Sequence, residues 1–165
     1  MGLYHMGKLT GTRHGDAANE LLAFYMDKAN KLEQSDQLFM AAIALAFAVE
    51  TALLTYLLVE FGEENGGELK IPHSVNMSDL IAAANEIDVL NAPINIPSHI
   101  SDEENAEPPK YVAKDAIEKI RRFRNLIHPA RLLKESFDPQ TFNIEQLNEL
   151  REMCESVMHS LLYYI

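Results

Sequence analysis

The sequence predicts an all-α fold, a five-helix bundle with long loops before and after a short third helix. Three observations predict it. Apolar residues recur at the three-to-four-residue spacing of a helix in one segment after another. The stretch from Leu38 to Val59 is far too long for a strand and carries Glu50 as its single charge. No internal repeat, Gly-rich phosphate loop or strand-turn-strand pattern interrupts the helical periodicity.

Residues 1–15 contain four glycines and little periodicity, so they are expected to form a flexible N-terminal tail ahead of a single domain over 16–165. The opening residues lack the apolar run of a signal peptide, and Met6 occupies the place where a myristoylation signal has Ser or Thr. The first helix is expected from Asp16, its capping residue, to about Glu33, with Leu21, Leu22, Tyr25, Ala29 and Leu32 on one stripe. Ser35 or Asp36 can cap a second helix, which runs to Phe61 and stops at Gly62.

Residues 62–77 read as a loop. Ser78 then caps a short third helix to about Leu90, with Leu80, Ile81, Ala84 and Ile87 inward. Residues 91–109, with four prolines and Asp102-Glu103-Glu104, read as a long irregular loop. The fourth helix begins near Lys110 and must end near His128, because Pro129 disfavours helical backbone at the residue before it. A connection over 129–142 leads to a last helix capped by Asn143, whose apolar face is Ile144, Leu147, Leu150, Cys154, Val157, Met158 and Leu161. Tyr163-Tyr164-Ile165 beyond it suits either a dimer contact or a packed end.

Composition excludes several classes. With 47% apolar and 24% charged residues the chain is neither disordered nor fibrous. Its single cysteine, Cys154, excludes an intrachain disulfide scaffold, so a reducing, cytoplasmic setting is expected. The segment Leu38–Val59 is long enough to span a bilayer. Glu50 near its middle, acidic flanks on both sides and amphipathic neighbours that need an apolar partner all favour a buried core helix, so no membrane partner is expected.

The net charge of −11 excludes a general nucleic-acid coat. Basic residues are nevertheless concentrated. Residues 110–134 hold eight lysines and arginines against Asp115 and Glu118, leaving +6 in that window and −17 in the remainder. A solvated helix face is the plain reading of such a window, and local attraction of a phosphate the functional one.

On a helical wheel, Ala113, Ala116, Ile117, Ile120, Phe123 and Ile127 form the apolar face of the fourth helix. Arg124 falls within that face, and Arg121 and His128 lie at its edge. Arg122, Lys119, Asp115 and Glu118 point outward. Burying a guanidinium without a partner is expensive, so something must meet Arg124. Glu50, the lone charge of the most apolar helix, is the expected partner, with the neighbouring Asn125 as a second point of approach. Such a pair can fix helix register, or it can support a site. His128, one turn beyond Arg124, can either cap the helix end or exchange a proton with a ribose 2′-hydroxyl while Arg124 stabilises charge on the phosphate. The six histidines show no metal-ligand spacing, and His99 near Asp102 and Glu103 is a weak cation candidate, so no metal or cofactor is expected.

Ile120-Arg121-Arg122-Phe123-Arg124-Asn125-Leu126-Ile127-His128-Pro129 resembles the Arg-polar-…-His signature of HEPN domains (higher eukaryotes and prokaryotes nucleotide-binding). Ala29 through Leu58 resembles the helix pair that precedes this signature, Ser78-Asp79-Leu80-Ile81 the short helix before it, and Asn143–Tyr164 the closing helix. The resemblance implies a homodimer that acts on RNA or a nucleotide, as a metal-independent endoribonuclease in a toxin or defence setting. It would give His128 the proton-transfer role, Arg124 the phosphate-stabilising role and Asn125 the polar position after the arginine. Glu50, by the buried-charge argument, and Arg121, at the edge of the same helix face, are the supporting residues. Three residues separate Arg124 from His128, where the family's catalytic form has four to six; Arg121 and Arg122 satisfy the wider spacing. The alternative is a non-catalytic helical interaction module, a scaffold or the partner of a toxin or defence protein.

Overall fold

A computed structural model describes residues 8–64, 68–70, 75–91, 93–95 and 110–162. Helices dominate it: α1 (Gly11–Gln34), α2 (Leu38–Glu64), α3 (Met77–Glu86), α4 (Ala113–Arg124), α5 (Pro129–Lys134) and α6 (Ile144–Leu162). Five of the six correspond to the helices expected from periodicity. The sixth, α5, lies in the expected connection over 129–142. Its six residues are too short to show a stripe, but Pro129 stands at its first turn, where the missing N–H costs nothing.

Helix α2 is the hub, touching α1, α3, α4 and α6. It is long and apolar enough to cross a membrane by length and composition, yet 83% of its most apolar window is covered by protein. From Ala41 to Leu58 every residue is buried except Phe47 and Glu50. Those two are spaced i, i+3 and mark the one side of α2 that its neighbours leave open.

Helices α1 and α2 meet through a tight turn. Asp36, at φ 58°, takes the left-handed conformation; its N–H donates to the Glu33 carbonyl and the Gln37 N–H to the Leu32 carbonyl. This is a Schellman closure with Asp36 in the place usually held by glycine. Asp36 therefore ends α1 and does not cap α2, and the Ser35 hydroxyl bonds back to the Lys31 carbonyl. Neither residue takes the capping role expected of it. The cap of α3 also moves. Asn76 accepts from the Asp79 N–H, and the Asp79 side chain accepts from the Asn76 N–H, a reciprocal box that starts the helix before Ser78. Asn143 and Gln146 form the same arrangement at the start of α6, where Asn143 was expected to cap.

Two antiparallel ribbons add to the helical frame. β1 (Lys8–Thr10) pairs with β2 (Glu68–Lys70), Leu9 opposite Leu69; β3 (Pro93–Asn95) pairs with β4 (Lys110–Val112), Ile94 opposite Tyr111. Sequence periodicity gave no sign of them, because three residues are shorter than the alternation that identifies a strand. β1 begins eight residues before Asp16 and α1 five residues before it, both inside the expected tail. The ribbons also shorten α4, which begins at Ala113 and not at Lys110. Residues 1–7, most of the acidic loop including His99, Asp102 and Glu103, and Tyr163-Tyr164-Ile165 lie outside the described residues.

The C-terminal end of α4 is braced by four phenylalanines. Phe39 of α2, Phe123 of α4, and Phe137 and Phe142 from the segment before α6 lie within 5.3–6.3 Å of one another between ring centroids. Contacts of this kind fix where the last turn of α4 sits on α2.

Candidate functional site

Arg124 turns inward, as the wheel expects, and meets Glu50. Its Nε donates to Glu50 Oε2 at 3.0 Å across 74 residues of sequence. The guanidinium carbon stands 4.9 Å from the centre of the Phe47 ring, a cation–π contact on the other side of the same group. Tyr25 of α1 stacks on Phe47 in turn, 5.4 Å between centroids and 17° between planes. The chain of contacts therefore runs Tyr25, Phe47, Arg124, Glu50.

These groups line a cleft of about 340 Å³ where α1, α2, α3 and α4 converge. Helix α2 supplies Phe47, Glu50, Thr51 and Leu54, spaced i, i+3, i+4 and i+7 and so on one stripe. Leu21 and Tyr25 come from α1, Val75 and Leu80 from α3 and the residues before it, and Arg124 from α4. The side chains of Arg124 and Glu50 remain 20% and 16% exposed, so the pair reaches solvent through the cleft. Only Nε of Arg124 is engaged, and no buried side-chain nitrogen or oxygen lacks a partner among the described residues. Among the described residues neither the Nη groups of Arg124 nor Oε1 of Glu50 makes a hydrogen bond, so these atoms can meet a polar ligand in the cleft.

Burial pushes the Glu50 carboxyl above the usual carboxylate range, while the charge and hydrogen bond of Arg124 pull it down; burial prevails. Burial, and next the charge of Glu50, also raise the Tyr25 phenol against the opposing pull of Arg124, so Tyr25 stays a neutral donor. The sign for stability follows. A carboxyl raised in the folded state stabilises folding at low pH, and that contribution is lost as pH rises through its folded value. Glu50→Gln should accordingly gain stability relative to the unmodified chain as pH rises from about 4 toward 7, measured by urea unfolding across that range. A Gln variant that falls behind as pH rises would mean that the Arg124 bond outweighs the burial.

The other expected site residues are placed differently. Arg121 pairs with Glu118, its Nε 2.9 Å from Oε2, on the flank of α4. Asn125 ends α4, and residues 125–127 tighten into a 3-10 turn. In that turn residues three apart align, so Leu126 falls below Phe123 and is buried, while Ile127, expected on the apolar face, is 37% exposed. The backbone then becomes extended at His128, with ψ 121°, and His128 caps α5 through its carbonyl, which accepts from the Arg131 and Leu132 N–H groups. Its imidazole is exposed and is not among the residues lining the cleft. A wheel drawn through residue 128 assumes an unbroken α-helix, and the change of helix type after Arg124 is what carries His128 elsewhere. The structure thus joins Glu50 to Arg124 and leaves His128, Asn125 and Arg121 out of their cleft.

Tyr25, Phe47 and Thr51 are cleft residues that sequence reasoning did not single out. Tyr25 sits within an apolar stripe and reads as core. The usable signal lies on α2, where one stripe combines Phe47, Glu50 and Thr51 on a helix rich in Ala and Leu.

The outward side of the α4–α5 junction has another character. Arg122, His128, Arg131 and Lys134 are all exposed, and the two arginines and the lysine form no ion pair among the described residues. Leu133, between Arg131 and Lys134 in the sequence, is 82% exposed. No family model, curated protein or solved structure matches the chain.

Proposed function

We propose that this chain is a HEPN-like domain that binds RNA, or a nucleotide, by its phosphates at the junction of α4 and α5, as a homodimer. One observation carries the reading. On a chain of net charge −11, Arg122, Arg131 and Lys134 are exposed, form no ion pair among the described residues, and stand within six residues of exposed His128 on two consecutive helices. Such a patch attracts phosphate locally, while the acidic remainder repels it elsewhere and limits how the strand can lie. The likeness of residues 120–129 to the HEPN signature supports the same surface.

Metal-independent cleavage is the finer part of the proposal. Within one chain, Arg124 is held by Glu50 in the cleft and His128 faces solvent, so the two do not share a cavity. Cleavage on this plan needs a second copy to complete the site. A different observation favours an interaction module instead. Leu133 is a large apolar side chain left exposed beside the cations, the mix of contacts that a protein partner uses.

Fluorescence anisotropy with a labelled single-stranded RNA, in excess chelator and over a range of salt, tests the reading. Binding should weaken with salt, and the variant Arg122→Gln, Arg131→Gln, Lys134→Gln should lower the salt slope by about 2, since each phosphate contact contributes roughly 0.7. Absence of binding at low salt removes the proposal and leaves the interaction module. Gel analysis of the same samples, with His128→Ala alongside, reads cleavage. Light scattering reads the dimer; a strict monomer cannot assemble a two-copy site.

A further inference from the structure

The cleft behind Arg124 offers a hydrogen-bonding pattern that a bare phosphate does not satisfy. Its two ionised groups cancel, so it has little net attraction for an anion. It presents donors from the Arg124 Nη groups beside acceptors on Glu50, between walls formed by Phe47, Tyr25, Leu21, Leu54, Val75 and Leu80. Its volume of about 340 Å³ lies at the lower end of the roughly 300–1,000 Å³ common for small-molecule sites. The complementary ligand is flat, uncharged at its recognised edge, and carries an acceptor next to donors.

We propose that this cleft binds a guanine base, with Arg124 Nη donating to O6 and Glu50 accepting from N1–H and the 2-amino group. Among the natural bases guanine alone sets two donors side by side, and a carboxylate takes such a pair with both oxygens. Oε1 of Glu50 has no partner among the described residues, and Oε2 keeps a second lone pair beyond the one that meets Arg124. Arginine is the usual partner of guanine O6, and charge-assisted bonds of this kind are the stronger ones. The ring edges and aliphatic side chains give the base an apolar bed, as single-stranded RNA bases find when they leave the stack. Thr51 donates its hydroxyl to the Phe47 carbonyl, so its proton is engaged within α2.

The inference is independent of phosphate binding at the α4–α5 surface, and the experiment separates the two. Isothermal titration of the full chain with guanosine, adenosine, uridine and inorganic phosphate should give binding for guanosine, at least tenfold weaker for the other nucleosides and none for phosphate. Glu50→Gln presents one acceptor and one donor in place of two acceptors, and should weaken guanosine about tenfold or more. Val75→Trp fills the cleft while leaving both charged residues in the chain and should abolish binding; circular dichroism checks that both variants are folded. A guanine-containing trinucleotide that binds better than guanosine identifies RNA as the source of the base, and equal affinity identifies the free nucleoside. Equal binding of adenosine and guanosine, displacement of guanosine by phosphate, or an unaffected Glu50→Gln variant would overturn the proposal. Guanosine binding without RNA binding leaves it standing and removes the phosphate reading; RNA binding without guanosine binding does the reverse.

Discussion

Ile120→Ala should lower the free energy of unfolding by about 2–5 kcal/mol, the usual cost of truncating a fully enclosed aliphatic side chain. Ile120 is 0% exposed and shares its face with Ala113, Ala116 and Ile117, all buried at 1% exposure or less. Alanines at two of those positions bring α4 close to its neighbours, so Ile120 and Ile117 supply most of its buried volume and little can collapse into the space left behind. Arg122, two residues on, points outward, and Arg122→Ala should change stability by no more than about 0.5 kcal/mol. Urea unfolding measures both. Each kcal/mol corresponds to about 2–4 °C in Tm for a chain of this size. Comparable losses for the two variants would mean that α4 is rotated from the phase described, and Arg124 with it.

Glu50→Leu should cost about 1–3 kcal/mol, because it leaves the Arg124 guanidinium in a mostly enclosed cleft with the Phe47 face as its remaining partner. Arg124→Leu should cost a similar amount by leaving the carboxylate. The double replacement should cost less than the two added together, and can approach the unmodified chain, since removing both charges also removes both desolvation penalties. A double-mutant cycle by urea unfolding should therefore give a coupling of about 1–2 kcal/mol. Additive effects would mean that the two side chains do not meet in solution. The raised carboxyl of Glu50 agrees with this arithmetic: Arg124 offsets only part of the cost of burying the carboxylate, so removing both charges recovers stability.

Much of the architecture was legible because amphipathic helices announce themselves through spacing. The five expected helices, the central place of α2 and the inward turn of Arg124 toward Glu50 all follow from asking which residues must be covered and which charges must be met. Helix ends were less legible, for a physical reason. Asp36 and Asn76 show that a capping residue is defined by backbone geometry as well as by side-chain type: one takes a left-handed turn that closes α1, the other starts α3 two residues ahead of Ser78 because Asp79 can answer it. The His128 position was not legible, since the change to a 3-10 turn after Arg124 depends on how Phe123 and Leu126 settle against the rest of the bundle. The ribbons were invisible because three-residue strands have no period to read.

Amide chemical-shift mapping tests the central claim most directly. Titrating the isotope-labelled chain with a short single-stranded RNA at low salt should move the amides of residues 119–135, at the α4–α5 junction, and added salt should reverse the shifts. Shifts confined to α6, where Glu145, Glu149 and Glu152 recur at helical spacing, or none at any position, would contradict the assignment of that junction as a phosphate-binding surface.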